Sequence, residues 1–147
     1  MRRFPCPIRA TALALLTALL SSPAVRAELP PAVYADEQRQ AELVARLQVL
    51  EAIRSQGQLR VQARILELKR QTGGLRLHPG QTLQLRYPVP IRHRQGWVGP
   101  SPVPLLQRGQ QVMAWLGRDP SAPGWFRPAA GGLSFGPSLE NLSGDPP

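Results

Sequence analysis

The sequence predicts a mainly β domain: a small five-stranded barrel or sandwich with one short N-terminal helix. Two observations carry the expectation. From Gln58 to Val89, Leu59, Val61, Ala63 and Ile65 alternate with Arg60, Gln62 and Arg64, and Leu83, Leu85, Tyr87 and Val89 alternate with Gln84 and Arg86. That two-residue period belongs to strands with one buried face. Beyond Val89, short apolar runs stand between proline- and glycine-rich segments, which favours further short strands over long helices.

The first 27 residues read as a secretory signal: a basic start (Arg2, Arg3, Arg9), an apolar run from Ala10 to Leu20, and a polar exit ending Val25-Arg26-Ala27. As a helix, the apolar run covers roughly 16 Å, about half of a ~30 Å hydrocarbon core. It is therefore expected to be a cleaved address that leaves no transmembrane anchor and delivers the chain to the periplasm or the extracellular space. Cys6, the single cysteine, lies inside this signal, so the mature domain is expected to hold no disulfide and no thiolate metal site. Four of the eighteen basic residues (Arg2, Arg3, Arg9, Arg26) leave with the signal while all nine acids stay, so the formal charge of +9 falls to +5. Such a mild positive field suits anionic glycans or lipids as partners; nucleic acid ranks below them.

The expected organisation is a single β-domain over residues 28–136, followed by a flexible tail over 137–147. Glu28-Leu-Pro-Pro31 reads as a stiff lead-in. A short helix is expected from a cap near Ala35 or Asp36 to about Val44, because Asp36 to Glu42 is rich in helix formers. From Leu43 to Ile53 two patterns compete: Leu43, Leu47, Leu50 and Arg54 fit a helical stripe, whereas Ala45, Leu47, Val49 and Ile53 fit one strand face interrupted by Glu51; a strand from Ala45 to Arg54 is expected because Ser55-Gln-Gly-Gln58 then closes a hairpin. In the second strand Ile65 and Leu66 are both apolar and adjacent, the mark of a bulge. The third strand runs from Thr82 to Val89. Pro90 to Gly109, with prolines at 90, 100, 102 and 104, is a long stiff excursion. Gln110 to Gly117 is a strand, and Val112 to Leu116 are all apolar, as in a strand covered on both faces. Arg118 to Gly124 is a turn, and Trp125 to Arg127 a last short strand. Five bent strands and one helix resemble the OB-type barrel.

The search for chemistry eliminates more than it finds. Gly132-Leu-Ser-Phe-Gly136 matches the G-x-S-x-G pattern of serine hydrolases, yet an elbow needs a helix after it and a histidine downstream, and the last histidine is His93. His78 sits in a turn, and His93 stands between Arg92 and Arg94, whose charges disfavour a bound cation. No cofactor motif occurs. Arg92, Arg94 and Trp97, joined by Trp125 and Arg127, are the candidate binding residues: a basic aromatic surface that can stack on sugars or other planar groups.

Three segments carry a resemblance: Thr72 to Tyr87, Gly96 to Gly109 with its Gly-Trp-Val-Gly-Pro start, and Pro128-Ala-Ala-Gly-Gly-Leu-Ser-Phe135. Together they resemble a family of small exported cyanobacterial proteins, which implies export and a compact β-domain and implies no reaction. A weaker likeness, in strand order, is to netrin-like domains. Those inhibitors act through an N-terminal cysteine and disulfides, which the mature chain lacks, so their mechanism is not implied. The leading expectation is a non-enzymatic module that binds a protein or envelope partner through Arg92 to Pro104. The alternatives are a small hydrolase using Ser134 or scattered carboxylates, and a binder of anionic glycan or lipid.

Overall fold

The computed structural model describes residues 29–91 and 99–142. The helix α1 spans Pro31–Gln40 and so starts earlier than expected. Pro31 occupies the first helical turn, where its fixed φ is already helical and its missing N–H leaves no bond unmade. The helix stops at Gln40 because Leu43 begins a strand whose alternate residues Leu43, Ala45, Leu47 and Val49 are all buried. Burial of that stripe overrides the helical propensity of the segment.

Five strands follow: β1 (Leu43–Ser55), β2 (Gln58–Gln71), β3 (Thr82–Pro88), β4 (Gln111–Arg118) and β5 (Trp125–Pro128). They close a barrel in the order β1-β2-β3-β5-β4, with β4 returning to β1. Neighbours are antiparallel except β3 and β5, which run parallel. This is a small OB-like barrel with one helix. The connection from β3 to β4 carries no helix among the described residues; instead Val103, Leu105 and Leu106 pack onto the core.

Long β1 and β2 bend through bulges. The partners change from Leu47↔Ile65 to Arg46↔Glu67, so Leu66 is the extra residue, as the adjacent Ile65-Leu66 pair implied. The bulge resets the pleat, and Leu68 then packs against the interior. A second bulge was not legible in the sequence: Val49 faces Ala63 and Glu51 faces Gln62, leaving Leu50 unpaired. Its consequence corrects the expected face of β1. Ala52 turns inward against the core, and Ile53 turns out, 50% exposed.

The interior is one apolar cluster drawn from every strand, including Leu47, Val61, Ile65, Leu85, Leu116 and Phe126. Each such side chain contributes about 1.5–3 kcal/mol on burial. On the outside of β4, Trp115 packs with Ala41 and Val44, so β4 is covered on both faces as its apolar run implied. The chain beyond Gly136 stays attached as far as Leu142. Gln38, fully buried, donates through Nε2 to the Leu133 and Pro137 carbonyls at 2.8 and 3.3 Å and accepts from the Leu139 N–H at 2.7 Å. Glu140 accepts from Arg70 at 2.9 Å and from the Trp115 indole at 3.1 Å.

Candidate functional site

The outer surface of the barrel is set by register. Glu51 faces Gln62, Gln62 faces Gln84, and Gln84 faces Trp125, so four strands contribute one row of outward side chains. A neighbouring row runs Ile53, Arg60, Arg86. Strands lie ~4.8 Å apart, so each row spans about 14 Å or less across the barrel.

Arg60 and Arg86 face each other directly, a pairing of like charges that is unfavourable on a sheet. The structure resolves it by neutralising one of the two. Arg86 donates through Nε to Asp119 at 2.5 Å and through its other nitrogen to the Ser121 hydroxyl at 2.7 Å. Arg86 first, then the Ser121 hydroxyl and N–H, hold the Asp119 carboxyl far below the usual carboxylate range. The same contacts shape the turn between β4 and β5. Asp119 accepts from the Ser121 N–H at 2.9 Å, and its own N–H donates to the Trp125 carbonyl at 2.8 Å. The turn thereby places Trp125.

Arg60 has no such counter-charge. No carboxylate of the described residues pairs with it, and its guanidinium carbon lies 6.0 Å from the centre of the Trp125 ring, within cation–π range. Around this contact lies a concavity of about 200 Å³ lined by Glu51, Ile53, Arg60, Gln62, Gln84 and Trp125. Arg60 also borders a second hollow of about 390 Å³ that reaches Gln56, Arg86 and Ser121. Arg60 lines both hollows. The first hollow offers an aromatic face, two amides, one guanidinium without a carboxylate partner among the described residues and one carboxylate; the second adds Gln56, Gln58 and the paired Arg86 and Asp119.

Of the expected binding residues, Trp125 lines the first hollow. Arg127, two residues on, opens instead into a different cleft of about 310 Å³ between the end of α1 and the β4–β5 pair. The structure therefore does not bring Trp125 and Arg127 into one site. Arg92, Arg94 and Trp97 lie outside the described residues. Arg60 and the two glutamines were visible as the outward positions of alternating strands; that they meet Trp125 depends on the β3–β5 pairing, which carries no local signal.

Ser134 is fully buried. Its hydroxyl accepts a hydrogen bond from the Ala130 N–H at 2.8 Å, closing a turn around the short 3-10 segment Gly131–Leu133. The G-x-S-x-G pattern is here a packed turn against Trp115, whose N–H donates to the Ser134 carbonyl at 2.9 Å. Among the described residues no three histidine, cysteine or carboxylate side chains gather at a metal-binding distance, and no helix is long and apolar enough to cross a membrane. No protein-family model matches the chain, and a search of curated proteins found no match.

Proposed function

We propose that the chain is an exported, non-enzymatic binding barrel that holds an anionic glycan chain across the outer face of β1, β2, β3 and β5. The observation that carries this reading is the Arg60–Trp125 pair standing beside the Glu51-Gln62-Gln84 row. A sugar ring stacks on an indole face, amides and a carboxylate exchange hydrogen bonds with its hydroxyls, and the uncompensated guanidinium takes a carboxylate or sulfate substituent. OB-type barrels bind oligosaccharides and oligonucleotides on the corresponding face, an analogy of fold that supports the placement. Arg86, already occupied by Asp119, contributes order rather than charge.

The test is affinity for a uronic-acid oligosaccharide, measured by calorimetry on the mature chain. Trp125→Ala removes the stacking partner, an interaction of ~1–3 kcal/mol, and lowers affinity at least tenfold. Arg60→Ala lowers affinity and flattens its salt dependence. If neither variant changes binding, the reading is wrong.

A second reading places a protein or envelope partner on the Arg92–Pro104 segment. It is supported by the anchoring of that excursion, where the Tyr87 hydroxyl donates to the Pro104 carbonyl at 2.9 Å and accepts from the Leu106 N–H at 3.2 Å. Ile91, 78% exposed, stands at its start. Capture from an envelope fraction, abolished in an Arg92→Ala, Arg94→Ala, Trp97→Ala variant, is its expected result; capture unaffected by the variant contradicts it.

A further inference from the structure

The sequence sets Arg127 beside Trp125 as a binding residue, and the structure gives it a cleft of its own, about 310 Å³ between the end of α1 and the β4–β5 pair. Register makes the space. Gly117 faces Arg127 across β4 and β5, and directly opposed residues project from the same side of a sheet, so the missing side chain of Gly117 leaves room beside the arginine. A Cβ there would meet Glu42 Oε2 at 3.9 Å, an ordinary contact. Glu37, Gln40 and Ala41, spaced three and four apart at the end of α1, supply the opposite wall.

Four charged side chains line the cleft among the described residues, two of each sign, and only one of each is matched. Glu42 accepts from the Arg118 N–H at 2.7 Å and from its guanidinium at 2.6 and 3.0 Å. Glu37 and Arg127 line the same cleft, yet neither forms an ion pair among the described residues, with each other or with any other group. Partial burial pushes the Glu37 carboxyl above its usual range, as happens to a charge that has lost water without gaining a partner. Arg127 is exposed. A ligand with a single charge is attracted by one of these two residues and repelled by the other; a ligand carrying both charges satisfies both. The carbonyl end of α1 adds to the preference for a cation on the Glu37 side.

We infer that this cleft binds a small zwitterion of the amino-acid or dipeptide class, its ammonium held by Glu37 and its carboxylate by Arg127. Small-molecule sites run from ~300 to 1,000 Å³, and a volume of about 310 Å³ suits a ligand at the small end of that range. The cleft shares no lining residue with the hollow beside Arg60 and Trp125, so this inference is independent of glycan binding.

The experiment titrates residues 28–147 with alanine and dialanine, with N-acetylalanine as the carboxylate-only probe and alaninamide as the ammonium-only probe, read by two-dimensional NMR. Alanine or dialanine is expected to saturate and to shift the amide signals of Gln40, Gly117 and Ala129; the tighter of the two distinguishes a free amino acid from a peptide. Each single-charge probe is expected to bind about tenfold more weakly, the loss of one charge-assisted contact. Glu37→Gln exchanges the preference, so that N-acetylalanine binds at least as tightly as alanine, and Arg127→Gln does the same for alaninamide. Loss of folding does not produce such an exchange. Gly117→Val, which fills the cleft at a strand position suited to a β-branched residue, abolishes binding of all four probes. Single-charge probes that bind as tightly as the zwitterions, charge variants that leave the preference unchanged, shifts centred elsewhere on the barrel, or no saturation at millimolar alanine and dialanine would each overturn the inference.

Discussion

The guanidinium of Arg60 lies 6.0 Å from the centre of the Trp125 ring, and the arginine opposite it, Arg86, is held by Asp119. One ion pair thus determines which of two facing arginines is left without a carboxylate partner among the described residues. The hollow beside Arg60 is polar, aromatic and only mildly charged, and the following expectations derive from its construction and from the contacts that support it.

Glu51 sets the sign of the first prediction. It lines the hollow and forms no ion pair among the described residues. A ligand anion at Arg60 is repelled through water by about 0.5–1 kcal/mol at 4–8 Å. Glu51→Gln therefore tightens an anionic oligosaccharide about two- to five-fold relative to a neutral one of the same length, which paired calorimetric titrations would check.

Gly132 tests the contact between the excursion and the C-terminal turn. A Cβ at this position would stand 2.3 Å from the Ser101 carbonyl oxygen and 2.7 Å from its carbon. Gly132→Ala is expected to cost about 1–3 kcal/mol or more through overpacking against backbone. At Gly117 a Cβ meets only a Glu42 oxygen at 3.9 Å, so Gly117→Ala is expected to be tolerated. Thermal denaturation of the two variants makes the comparison.

Tyr87 gives a pH prediction. Burial, opposed by the hydrogen bond from the Leu106 N–H, pushes its hydroxyl up from 10.0 to about 12. The folded state then holds a proton that the unfolded state releases, so this contribution is complete below pH ~10 and is lost as pH rises toward 12. Tyr87→Phe removes that alkaline loss. It also strands the buried Leu106 N–H, at a cost of about 1–3 kcal/mol at neutral pH. Urea unfolding at pH 7 and pH 11 separates the two effects.

Truncation after Gly136 removes the Leu139 and Pro137 partners of Gln38 and the Glu140 partner of Arg70 and Trp115. Gln38, Arg70 and Trp115 are then left with partly buried polar groups short of a hydrogen bond. The expected destabilisation is about 2–4 kcal/mol, measured by the same unfolding titration. A dispensable tail would leave stability unchanged.

What was legible in the sequence was what is local. The alternation of β2 and β3 appears directly in the burial of Leu59, Val61, Ala63, Ile65, Leu83, Leu85 and Tyr87, and two adjacent apolar residues mark the Leu66 bulge. The Leu50 bulge is hidden because Ala45, Leu47, Val49 and Ile53 keep the two-residue period across it, so local pattern puts Ile53 on the wrong face. The anchoring of residues 137–142 is invisible for a different reason: the partners of Gln38 there lie about a hundred positions away. The same holds for the hollow, where Arg60 and Trp125 meet only because β3 and β5 pair in parallel. Local pattern names the outward residues; closure of the barrel decides which of them become neighbours.

The most direct test of the proposed function is a two-dimensional NMR titration of residues 28–147 with a uronic-acid oligosaccharide. Perturbed signals are expected to concentrate at Glu51, Ile53, Arg60, Gln62, Gln84 and the Trp125 indole. Perturbation centred instead on the Arg127 cleft, or no perturbation at millimolar ligand, would contradict glycan binding on this face.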